Sequence, residues 1–77
     1  MSKKRVDMLN NIKAEMARYD MTNASLADFL GLSESTVKGW FYSEKSIPSS
    51  ALIKMAQEWN VSTDYLLGLT NPYSKVS

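Results

Sequence analysis

The side chains best able to make directional polar contacts fall in one short run. Glu34, Ser35, Thr36 and Lys38 lie close together, with Gly39, Tyr42 and Lys45 following. A lysine ammonium donates to the O6 and N7 of guanine, and a carboxylate accepts from the N4 of cytosine. Serine and threonine hydroxyls do either, and the threonine methyl suits the methyl of thymine. Gly39 lets the backbone approach a partner or leaves room for a base. Tyr42 and Lys45, at the end of the run, suit phosphate oxygens. This chemistry suits base edges and phosphates rather than bond breaking. Such a polar face taken alone is more often simply solvated surface; its position after a glycine turn is what favours the first reading. The chain has no histidine and no cysteine. That removes the usual general base near neutral pH, the commonest metal ligand and every thiolate site. Among the carboxylates, Asp7, Glu15, Asp20, Glu58 and Asp64 read as solvated, capping or surface-pairing groups, with no recognisable pair or metal cluster. No enzymatic role, no metal and no cofactor are expected.

Two short helices are expected to position those groups. At ~100° per residue, Val37, Trp40 and Phe41 gather on one side of a helix over residues 34–42. Ser35, Lys38, Gly39 and Tyr42 lie on the other side, with Glu34 and Thr36 on its flanks. Ser33 is a good N-cap, and Glu34 sits near the positive end of the helix dipole. Upstream, Leu26, Phe29 and Leu30 form a short apolar stripe, and Thr22 can cap their helix. The small Ala27 lies where the following helix would cross closely. Gly31 breaks the pattern at a turn that needs a positive φ, and Leu32 is expected to tuck beneath it. Two short helices joined by a tight glycine turn is the arrangement that presents one helix to the major groove of DNA.

The rest of the chain reads as three more helices and no strand. The first spans residues 6–19, with Leu9, Ile12, Met16 and Tyr19 facing the core and Asp20 ending it. The loop SEKSIPSS follows the third helix, its Pro48 suited to a helix entrance. The fourth covers residues 50–59, with Leu52, Ile53, Met55, Ala56 and Trp59 inward and Asn60 as the stop. Ser62 caps a short fifth helix over residues 63–67, which Gly68 ends. Trp40, Trp59 and most of the methionines are read as core, not as base-stacking or cofactor-binding groups. The expected fold is all-α, a compact five-helix domain. A length of 77 residues, 44% of them hydrophobic, suits one small domain. No apolar run approaches a membrane span and the start, MSKKRVD, lacks a signal-peptide apolar region, so a cytoplasmic protein with no membrane partner is expected.

The residues from about 9 to 69 resemble the phage-repressor and Cro-like helix-turn-helix family. The likeness is carried by MTNASLADFLGLSESTVKGW, by the IP of the next loop and by LIKMAQEWNVSTDYLLG with its VSTDYLLG ending. It implies a lambda-repressor-like domain, bacterial or phage-encoded, that binds a two-fold symmetric double-stranded operator as a homodimer and regulates transcription by occupancy. The expected form is a stand-alone Cro-like protein or the DNA-binding fragment of a repressor. By position, Glu34, Ser35, Thr36, Lys38 and Gly39 fall on or beside base-reading places, and Asn23, Ser33, Tyr42 and Lys45 at phosphate contacts. Asn23 is shorter than the family's frequent glutamine, Glu34 is acidic and Gly39 has no side chain.

The net charge is only +1, so any basic surface must be local. Lys3, Lys4 and Arg5 suggest an N-terminal arm over residues 1–5 that follows phosphates or enters a minor groove, the alternative being a disordered start that serves only solubility. Residues 6–69 would form the helix-turn-helix domain and residues 70–77 a short flexible tail. Tyr65, Leu69 and Tyr73 are expected at a dimer contact. The alternative function is a protein-interaction module, such as an antitoxin-like partner built on the same fold.

Overall fold

The structure, a computed structural model, describes residues 3–69. Five helices follow one another: α1 (Lys3–Arg18), α2 (Asn23–Leu30), α3 (Glu34–Tyr42), α4 (Ser49–Trp59) and α5 (Thr63–Leu66), with no strand among the described residues. This is the expected all-α domain. No described helix is long and apolar enough to cross a membrane.

Each short helix begins where its side chains can satisfy free backbone amides. Thr22 accepts from the amide of Ser25, whose hydroxyl accepts in turn from the amide of Thr22, a reciprocal capping box. Ser33 and Ser62 cap α3 and α5 by accepting from Thr36 and Tyr65. Pro48 opens α4 with φ −62°, the entrance its ring prefers. The ends share one device. A left-handed residue follows the last turn of every helix: Asp20, Gly31, Glu44, Asn60 and Gly68. At Gly31 the amide of Leu32 reaches back to Ala27 O and that of Gly31 to Asp28 O, a Schellman closure.

The core is a single cluster drawn from all five helices. Ile12, Leu26, Val37, Met55 and Leu66 are fully buried, and Trp40 and Trp59 nearly so. α2 packs on α3 more extensively than any other helices pack on each other, while α5 bridges α1 and α4. Ala27, 2% exposed, has the buried place its size suggests.

Several expectations are corrected. α1 starts at Lys3, three residues before the expected 6, so the run Lys3–Arg5 is the first turn of a helix and not a free arm. Tyr19 is 48% exposed, because α1 has already ended beside it; only its hydroxyl returns, donating to Trp59 O. Ile53 is 49% exposed, since the buried arc of α4 runs to Ala51 on its other side. Phe29 and Leu32 are half-exposed; the amide of Leu32, not its side chain, secures the turn. Glu15, expected at the surface, is 2% exposed. Its Oε2 accepts from the Tyr65 hydroxyl at 2.9 Å, and its Oε1 lies 3.8 Å from Arg18 Nε. Tyr65, expected at a dimer contact, is thereby turned inward onto α1, where its carbonyl also accepts from Asn11 Nδ2. Tyr73 and the tail lie outside the described residues.

Candidate nucleic-acid interface

α3 is fixed at both ends and on one face. Val37, Trp40 and Phe41 anchor the buried face. Lys13 of α1 reaches over the Phe41 ring, its Nζ 5.3 Å from the centroid, so a cation from another helix covers the edge of this contact. At the start of α3, Ser33 Oγ both accepts from the Thr36 amide and lies 2.9 Å from Thr36 Oγ1. The two hydroxyls expected to reach DNA therefore hold each other in the free protein, and both remain exposed.

The opposite face is open. Glu34, Ser35, Lys38, Gly39, Tyr42 and Ser43 line one shallow groove of about 510 Å³ along the helix. Five of these are residues singled out from the sequence as base or phosphate contacts, and the fold brings them together. Ser43 was missed because it lies just past the helical pattern. Tyr42 is 70% exposed, with its ring edge-on to Phe41 at 6.4 Å. Lys38 Nζ and Glu34 Oε2 are 3.1 Å apart, one helical turn along the same wall.

Gly39 also has a role within the chain. The amide of Lys45 donates to Gly39 O, and a Cβ built on Gly39 would stand 3.1 Å from Lys45 Cγ. The absent side chain makes room for the stem of Lys45 beside the groove, so Gly39 both lines that groove and lets Lys45 pack against it. The bend that returns the loop passes through Glu44 at φ 54°.

Arg5 ties this end of α3 to α1. Its guanidinium donates to Trp40 O at 3.0 Å and to Lys45 O at 2.7 Å. A cation here meets the negative end of the α3 dipole and satisfies a carbonyl of its last turn. Arg5, expected on phosphate, is instead an internal clasp. The side chains of Lys3 and Lys4 lie outside the described set. Asn23 opens α2, half-buried, rather than lying on the α3 groove. Leu69, 53% exposed, follows α5.

No group of histidine, cysteine, aspartate or glutamate among the described residues has the geometry to hold a metal. The site that remains is an exposed polar helix face carried by a capped and closely packed helix–turn–helix. The sequence relations agree with it. The chain belongs to the Cro/C1-type helix-turn-helix family, whose model matches residues 12–66. It is similar to YobD, an uncharacterized HTH-type transcriptional regulator of Bacillus subtilis (strain 168), with 34% identity over 53 residues, 69% of this chain. The chain spans about half, 47%, of the length of that relative. No solved structure matches it.

Proposed function

We propose that the chain is a sequence-specific DNA-binding regulator of transcription that lays α3 in the major groove of an operator. The observation that carries this reading is the outer face of α3. An exposed acceptor, a hydroxyl, an ammonium and a phenol line one open groove, directly opposite a buried apolar face. Family membership and the printed description of the similar B. subtilis protein support it. Glu34, Ser35, Thr36 and Lys38 meet base edges in this reading. Asn23, Ser33, Tyr42, Lys45, Lys3 and Lys4 meet phosphates and set the register.

The active form is a homodimer on a two-fold operator, with two copies of α3 about 34 Å apart, one turn of DNA. Exposed Leu69 supports a self-contact beyond α5. Light scattering at tens of micromolar is expected to give twice the chain mass, and Leu69→Ser to lower it. A monomeric mass with and without operator removes the dimer.

The deciding experiment is an amide NMR titration of the labelled protein with a mixed pool of short duplexes at low and moderate salt. Shifts concentrated at Asn23, Ser33 to Lys38, Tyr42 and Lys45, weakening with salt, are expected. The second reading, a protein-interaction module such as an antitoxin-like partner, draws on the low net charge and on the mutual neutralisation of Glu34 and Lys38. An absence of shifts at low salt would favour it.

A further inference from the structure

We infer that Glu34 and Lys38 act as one unit that reads a single G·C base pair, the carboxylate on cytosine and the ammonium on guanine. The inference rests on the DNA-binding reading above and carries it to a particular base pair. Its ground is the geometry of the ion pair. Oε2 and Nζ stand 3.1 Å apart, and the two side chains are 46% and 53% exposed on the wall of the α3 groove. An acceptor beside a cationic donor complements the major-groove edge of G·C, where cytosine N4 donates and guanine O6 accepts. Those two atoms are hydrogen-bonded to each other, so about 2.9 Å separates them. The two spacings agree within a few tenths of an ångström, and the unit docks without opening.

The remaining donors of Lys38 can reach guanine N7 beside O6. An A·T pair also offers a donor next to an acceptor, but the thymine methyl stands beside the O4 that the ammonium must approach, with no second acceptor next to it. Charge points the same way. A lone glutamate facing the phosphates is repelled, and a Lys38 drawn to a phosphate would leave Glu34 in that condition. Kept together, the pair is neutral. It discriminates between bases and adds nothing to the sequence-independent attraction.

The test is selection from a randomised duplex pool with the full chain, its Glu34→Ala and Lys38→Ala variants, and the charge-swapped double variant Glu34→Lys with Lys38→Glu. All substitutions lie on the exposed face, and a thermal melt of each confirms folding. The native chain is expected to enrich G·C at one fixed position per half-site. Exchanging that pair for A·T weakens binding roughly tenfold, and 7-deazaguanine at the same place weakens it several-fold. Glu34→Ala loses the preference for cytosine while its affinity for the whole pool holds or rises. The swapped variant enriches the inverted pair, C·G, at that position. Duplexes retained with one base profile for all four proteins would overturn this inference and leave the DNA-binding reading standing. No duplex retained by the native chain at low salt would overturn both.

Discussion

Gly31 and Glu44 sit in the same left-handed region, φ 72° and 54°, at the two ends of the recognition unit. At Gly31 a Cβ would meet nothing within 4 Å, so the cost of adding one is wholly conformational. Gly31→Ala is expected to destabilise by about 1–2 kcal/mol. Glu44 already bears that strain, partly offset by the smaller entropy of its unfolded state. Glu44→Gly is expected to be stabilising, by at most about 1 kcal/mol. Urea midpoints with unchanged slopes check both, and equal signs for the two would sink the argument. Gly31 was legible in the sequence because only glycine takes that backbone without strain. Glu44 was not, since a glutamate in a loop announces no conformation. Glu15 was hidden in another way: it lies beside Ile12 and Met16 on the inner face of α1. The group that donates to its carboxylate, Tyr65, is 50 residues away and invisible to local spacing.

Caps and stops made the helices legible as elements: Thr22, Ser33, Pro48, Asn60 and Ser62 stand where local chemistry requires them. The apolar faces that pack the helices together were largely legible, but the polar fastenings between elements were not, because they are long-range contacts between residues far apart in the chain. Two of them give predictions. Arg5→Ala removes a charged donor from Trp40 O and Lys45 O, and is expected to cost about 1–2 kcal/mol. It should also speed amide exchange at Ser43 and Lys45, with the start of α3 unaffected; unchanged exchange there would show that the clasp does not hold the loop. The second fastening joins α5 to α1. Tyr65→Phe leaves a buried carboxylate without its hydroxyl donor, a loss of about 1.5–3 kcal/mol near neutral pH. Burial pushes the Tyr65 phenol above its ordinary value of 10.0; its hydrogen bond to Glu15 and the charge of that group act the same way, and Arg18 pulls back. The folded chain thus holds this proton more tightly than the unfolded one. The stabilisation is complete below about pH 10 and is lost as pH rises through the folded value above it. The gap in Tm between the native chain and Tyr65→Phe should therefore narrow above pH 10, and a gap that stays constant to higher pH would refute the linkage.

On the scale of the whole molecule, the difficulty is to draw a polyanion to a protein of net charge +1. Arg5 is occupied by carbonyls of its own chain and Lys38 by Glu34, so the cations proposed for phosphate are Lys3, Lys4 and Lys45. Log affinity against log salt should then fall with a slope of about −3 for a monomer and about −5 for a dimer, at roughly 0.9 per phosphate neutralised. Sequence reasoning offered the basic run as an N-terminal arm on the DNA, with deletion of residues 2–5 as its test. The fold makes that deletion ambiguous, because it removes the first turn of α1 and the Arg5 clasp together with the two lysines. Replacing Lys3 and Lys4 with glutamine separates the effects. The clasp stays, Tm is expected to hold within about 0.5 kcal/mol of stability, and the slope should lose about two units per chain. A slope unchanged in that variant would take the N-terminal turn out of the interface and leave Lys45 as the proposed phosphate cation of each chain.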